Sequence, residues 1–334
     1  MRRDSQPLTH TDIIGGGAEV RLRASARTFP LSTLDHTIPA SDATGQHRRG
    51  LLLVAGAAIV WSAGGLLARL IETDPWTKLF WRSVFAFLFL LAYAWYRNRG
   101  RLVATFRELG WPGVVLGLCF ATASTAFIIG LNYTTVANIM FVQAGAPFLA
   151  GLLGWLIMRE RVKLRSWIAM GAALAGIGMI SRGSLAAGNI TGDLLAITCA
   201  LGFAGAIVTM RRHKHLRMTP ATCLATLLTA LFSLPFSSPL SVGTSDVVYL
   251  VLFGMGQMGI GLILFTAGVR LIPAAEAGLM SILESILSPL WVWFALTETP
   301  SEDTLLGGAI VLGAIVVHTL IDWRAERTVV PTPD

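Results

Sequence analysis

Glu284 lies near the midpoint of Ala274–Glu298, a stretch long enough to cross a bilayer at about 20 residues per span. Ser281, Glu284, Ser285 and Ser288 recur at helical spacing, so on a helix they form one polar stripe. Pro289 follows, and its missing N–H leaves the Ser285 carbonyl without its helical donor. A carboxyl at that depth costs roughly 2.5–3.5 kcal/mol on insertion scales, and such groups face a polar interior or cavity. Two functional roles suit Glu284: partner to a substrate amine, or proton-coupling carboxyl. The structural alternative is a carboxyl bonded to Ser281, to Ser288 or to another helix.

The other polar side chains inside apolar runs carry the same double reading. Arg82, about two turns into its run, either clamps a substrate carboxylate or pairs with Glu284, or else snorkels outward along its own stem. Arg69 shares a helix face with Ala58, Ser62 and Gly65 and sits close enough to a span end to snorkel. Gln143, Pro147, Ala150, Gly151 and Gly154 share another face, and Pro147 frees the Gln143 carbonyl to make a second kink opposite that at Pro289. That face is a cavity wall or, for the small residues, a close helix contact. Gln257, between Gly254 and Gly261, follows the same logic. Trp61 stacks on substrate, gates, or packs; Glu160 and Glu298 are expected to pair with bases or cap loops.

Several chemistries have no parts here. The sequence holds no phosphate-binding loop ending in Lys-Ser/Thr, no H-E-x-x-H and no G-x-S-x-G, so no catalytic residue, metal site or cofactor is assigned. Cys119, Cys199 and Cys223 lack metal spacing and read as small core residues.

What must position these side chains is a membrane bundle. Only 13% of the 334 residues are charged, 54% are hydrophobic, and mean hydropathy is +0.66. Soluble domains carry about 25% charged residues. Ten apolar runs are expected, near 50–71, 77–96, 111–131, 137–158, 164–181, 192–210, 219–236, 247–269, 274–297 and 303–322. With the amino terminus inside, one face of the membrane receives Arg48 and Arg49, the arginines at 97, 99, 101 and 107, and the bases at 159, 161, 163 and 165. It also receives those at 211, 212, 214 and 217, then Arg270, Arg324 and Arg327. The other face keeps Arg69, Lys78, Arg82 and Arg182, which places both termini in the cytoplasm. The net charge of +7 therefore bears on orientation and not on nucleic acid. Residues 1–49 and 324–334 are expected as cytoplasmic tails, the first disordered.

The chain also repeats. GLNYTTVANIM (130–140) lies over GVRLIPAAEAG (268–278) at a shift of 138, which puts Glu160 over Glu298. GLLLVAGAAIVWSAGGLLARL (50–70) lies over GDLLAITCALGFAGAIVTMRR (192–212) at a shift of 142. Five spans per half is an odd number, so halves 50–183 and 188–323 enter the membrane upside down relative to one another, a carrier architecture. WSAGG (61–65), LFWRS (79–83), APFLAGLLGWLIMRER (146–161), GAALAG (171–176) and LESILSPL (283–290) together resemble the EamA-type branch of the drug/metabolite transporter superfamily over residues 50–322. In that family's ninth span Pro is usual where Ser285 stands.

The expectation is an all-α polytopic membrane protein, ten transmembrane helices as two inverted five-helix repeats in a bacterial inner membrane. The resemblance implies a secondary carrier of a small polar or amphipathic metabolite such as an amino acid or drug, working by alternating access and exporting by analogy. Its partners are a small-molecule substrate and the bilayer; a homo-oligomer is compatible with it. A sugar-phosphate or nucleotide-sugar exchanger would need several interior cations, with only Arg82 and Arg69 on offer. An intramembrane lipid-handling enzyme or scaffold would instead act without any gradient.

Overall fold

A computed structural model describes residues 40–97, 102–159, 164–186, 190–213, 218–272 and 274–328. Among the described residues the chain is helical throughout, without strands. The first half comprises α1 (Ala40–Leu70), α2 (Pro75–Arg97), a short α3 (Leu102–Arg107), α4 (Gly110–Gly130), α5 (Val136–Ala144), α6 (Ala146–Met158) and α7 (Leu164–Ala186). The second comprises α8 (Ile190–Arg212), α9 (Met218–Ser233), α10 (Thr244–Val251), a π-helical segment (Leu252–Ile260), α11 (Gly261–Gly268), α12 (Ala274–Leu296) and α13 (Glu302–Thr328). Eight helical stretches in the described residues are long and apolar enough to cross a membrane. The fifth and ninth expected spans retain shorter apolar helices, Leu164–Ile180 and Leu283–Leu296.

Three boundaries depart from the sequence expectation. α1 begins at Ala40, so residues 40–49, assigned to a disordered tail, are helical; residues 1–39 lie outside the described ones. The fourth run is two helices, parted at Gly145, where Pro147 in the first turn of α6 has no N–H to give. α12 shows no such break, for its helix runs unbroken through Pro289. The eighth run keeps one axis but widens to π geometry over nine residues around Gln257.

The helices pack as the repeat requires. α7 lies against α13, α2 against α9 and α5 against α12, each pairing corresponding spans of the two halves. α8 packs on α4, α5 and α6. α1, its counterpart, reaches α11 through Gly50 and Gly268, and α12 through the Trp291 indole, which donates to Ser62 Oγ at 2.9 Å. A finer correspondence supports both shifts. A Cβ at Gly50 would meet Leu271 and Ile272, and one at Gly192 would meet Tyr133 and Thr134, the residues 138 positions earlier.

Without a hydrophobic drive between helices in lipid, closeness of approach decides such contacts. α7 and α13 meet at Gly176 and Gly307, where an added Cβ would lie 2.7 Å from the Gly307 oxygen and 2.5 Å from the Gly176 oxygen respectively. Gly202 brings α8 within similar reach of the Cys119 carbonyl on α4. Small residues at these crossings let the apolar core around Leu79, Ile139, Val142, Ile180 and Phe253 close.

Candidate functional site

Arg82 is only 5% exposed and reaches inward. Its Nη1 donates to Ser124 Oγ on α4 at 2.7 Å, and Nη2 donates to Gln257 Oε1 at 3.4 Å. Nη2 also faces the Met258 sulfur at 4.0 Å, and the guanidinium lies 4.5 Å from the Phe253 ring centroid. Its Nε is buried with no acceptor. The snorkelling reading is thereby overturned. The reason is local: a Cβ at Gly254 would lie 2.6 Å from the Arg82 carbonyl, so α2 and the π segment press together and trap the side chain between α2 and α4. The π turn brings Phe253, Gln257 and Met258 toward it. Taking a guanidinium out of water costs several kcal/mol, which neutral donors, acceptors and one ring offset only in part. Among the described residues no carboxylate pairs with Arg82.

From Arg82 the polar path continues through Gln257, whose Nε2 donates to the Trp61 carbonyl at 3.2 Å. Gly64 makes room for that amide, and Gly261 for the Trp61 indole. The Trp61 ring itself packs on Phe265, centroids 5.1 Å apart, and so is braced by a neighbour. On the other side, Cys199 of α8 donates weakly to Gln143 Oε1, 3.5 Å from its sulfur. The Cys199 thiol lies within electrostatic reach of both Arg82 and Glu284. Helices α1, α2, α4, α5, α8, α12 and the π segment thus supply one interior cluster.

Glu284 is partly exposed on α12, with no hydrogen-bond partner among the described residues. Ser288 is fully buried without a partner for its hydroxyl, and Gly65 of α1 closes over it. The Glu284–Ser288 bond of the structural reading is therefore not made. The Ser281 side chain lies outside the described residues. Pro147 is exposed and Pro289 buried, so the two prolines are not equivalent in surroundings. An apolar cleft of about 110 Å³ between α6 and α7, lined by Phe148, Trp167 and Ile177, contains none of the polar candidates.

Arg69 belongs elsewhere. Its Nε lies 3.0 Å from Glu298 Oε2, while Nη1 and Nη2 donate to the Leu131 and Thr134 carbonyls at 2.6 and 2.9 Å. Glu298 Oε1 accepts from the Val136 N–H at 2.9 Å, so the acid pairs with a base and caps α5, stabilised there by the helix dipole. Its repeat mate Glu160 lies outside the described residues. Nearby, Asn138 of α5 donates to Asp193 of α8 at 2.8 Å. Asp193 opens the sixth run and reads in sequence as a helix-start acid; Ser124 and Cys199 gave no signal beyond small-residue packing.

Comparison with known proteins agrees with this architecture. The EamA-like transporter family matches twice, at residues 48–182 and 190–320. The uncharacterized transporter YwfM of Bacillus subtilis is 29% identical over 63% of this chain and 74% of its own length. An uncharacterized transporter of Pseudomonas aeruginosa is 23% identical over 85% of this chain and 98% of its own. The S-adenosylmethionine uptake transporter of Rickettsia felis is 23% identical over 70% and 79%. A protein of known crystal structure, 22% identical, superposes with a TM-score of 0.55 over 84% of this chain and 98% of its own, a likeness of fold alone. With its two matches spanning most of its length, the chain belongs to the EamA-like transporter family, a multi-span membrane protein.

Proposed function

We propose that this chain is a ten-helix secondary carrier, with halves 50–183 and 188–323 inserted in opposite senses and both termini cytoplasmic. It moves a small metabolite bearing one anionic and one cationic group by alternating access. The observation that carries this reading is the buried Arg82, held by neutral groups alone, with Nε unsatisfied. A substrate carboxylate offers that guanidinium the bidentate acceptor it lacks. Glu284, with no hydrogen-bond partner among the described residues, is suited to the cationic end or to a coupling proton. Gln143, Gln257, Ser288 and the Trp61 backbone line the path between, Ser281 joins the proposal by its helical spacing from Glu284 alone, and the Gly145–Pro147 break lets α5 and α6 bend. The mirrored contacts at Gly50 and Gly192 support the inverted arrangement.

The name of the Rickettsia felis relative agrees with such a substrate, since S-adenosylmethionine carries an amino-acid head. A phosphate exchanger fits less well: of the other interior cations it would need, Arg69 is committed to Glu298 and Lys78 to the Ala68 carbonyl. Export, expected by analogy, is set by flux measured in both vesicle orientations. The test is a thermal-shift screen of zwitterionic, anionic and cationic metabolites, followed by counterflow in proteoliposomes. Zwitterions are expected to raise the melting temperature of the native chain and not of Arg82→Gln. Saturable counterflow unchanged in both Arg82→Gln and Glu284→Gln would remove the site, and turnover of a substrate in detergent would replace carrier with enzyme.

A further inference from the structure

Two groups of helices meet at the Arg69 end of the molecule. α4 and α5 pack on α8, and near that end Asn138 of α5 donates to Asp193 of α8 at 2.8 Å while Gly192 seats against Tyr133 and Thr134. α1 is tied instead to α12, by the Trp291 indole on Ser62 and by Gly65 against Ser288. The seam between the groups is closed here: α5 packs on α12, and Gly65 comes against the Val136 side chain. Past the break at Gly145, α6 packs on α7 and α8, so it is the Arg69 half of the fourth span that meets the ninth.

Across that seam one ion pair touches two helix ends. Leu131 is the C-cap of α4, and Val136 is the first residue of α5. The free carbonyls of a helix C-terminus favour a cation, and the free N–H groups of an N-terminus favour an anion. Arg69 donates to the Leu131 and Thr134 carbonyls at 2.6 and 2.9 Å, and Glu298 Oε1 accepts from the Val136 N–H at 2.9 Å. Each charge faces the helix end that suits it, and each reaches it from the other group. The ion pair itself, Arg69 Nε to Glu298 Oε2 at 3.0 Å, joins the ends of α1 and α12. Parting the groups would therefore break the three hydrogen bonds and leave the pair whole.

We propose that Arg69 and Glu298 form a latch on this end of the carrier. The pair travels with α1 and α12 and releases the α4–α5 corner when the substrate path opens on that side. The latch rests on the alternating-access reading, on whose topology this is the outer face; with its bonds made, the present conformation is closed to the outside. A plain structural salt bridge needs only the attraction between the two charges, whereas a latch also needs their sense. Arg69→Glu combined with Glu298→Arg keeps the attraction and sets each charge against the wrong helix end.

Spin labels read the seam directly in the reconstituted full chain, on a background of Cys119→Ala, Cys199→Ala and Cys223→Ala. Glu72→Cys with Tyr133→Cys spans the seam at exposed positions, and Glu72→Cys with Phe294→Cys stays within the α1–α12 group. With residues 69 and 298 native, pulsed dipolar spectroscopy should give one main distance across the seam and a minor longer one. Arg69→Gln, Glu298→Gln and the exchanged pair should each enlarge the longer population several-fold and leave the Glu72–Phe294 distance unmoved. A single narrow distance across the seam with both residues native overturns the latch, whether or not the variants fold. So does an exchanged pair that matches native, or an equal broadening of both label pairs. None of these results reads flux, where the carrier reading is tested; a seam that opens in a chain without counterflow keeps the moving corner and removes the carrier.

Discussion

At the residue scale, the proposed binding site turns on Arg82. Lysine would keep the charge and lose the planar fork that serves Ser124, Gln257 and a carboxylate together. Arg82→Lys is therefore expected to weaken substrate binding by about tenfold or more, ~1.4 kcal/mol, with the fold intact; a binding isotherm beside a melting curve measures both. The Arg69–Glu298 pair predicts a different pattern, since both side chains are about a quarter exposed at 28% and 23%. Neutralising either should cost the bundle about 1 kcal/mol, and the double variant should cost less than the sum of the two singles in a thermal-unfolding cycle.

Sequence spacing made part of this site legible. The serine stripe through Glu284 and the amides at Gln143 and Gln257 needed only helical periodicity. The direction of Arg82 was not legible, because a snorkelling arginine and a buried one share the same sequence position. What separates them is the π segment, and its glycines at 254, 256 and 259 look in sequence like ordinary small-residue packing. Asp193 was hidden by position, since an acid in the first turn of a helix needs no special explanation.

At the scale of elements, glycines set the distances. Gly176 and Gly307 bring α7 and α13 so close that a side chain on either meets backbone oxygen first, and the Val311 or Ile180 side chain beside it. Gly307→Leu should separate the two helices and destabilise the chain by at least the 1–3 kcal/mol typical of overpacking. Gly171→Leu offers the contrast: a Cβ there meets nothing within 4 Å, so its melting temperature should stay near native. The helix break at Gly145 was readable from Pro147 alone. The unbroken α12 was not, because a proline lets a helix continue when its neighbours hold it, and the buried Pro289 lies between Ser288 under α1 and Trp291 bonded to Ser62.

For the whole molecule, spans that correspond in the two halves lie against one another, α7 on α13, α2 on α9 and α5 on α12. The internal shifts of 138 and 142 carried over because Gly50 and Gly192 take matching seats in opposite halves. The proposed cytoplasmic placement of both termini predicts that reporters active only in the cytoplasm will work when fused at either end; activity at one end alone would mean an odd span count.

Those exchanged seats bear on how the protein is made. α1 leaves the ribosome early, yet the seat of its Gly50 end at Leu271 and Ile272 is synthesised some two hundred residues later. Until then that end of α1 has only lipid or a chaperone for company, while its other end already holds the Leu131 and Thr134 carbonyls through Arg69, so a nascent first half is only partly packed.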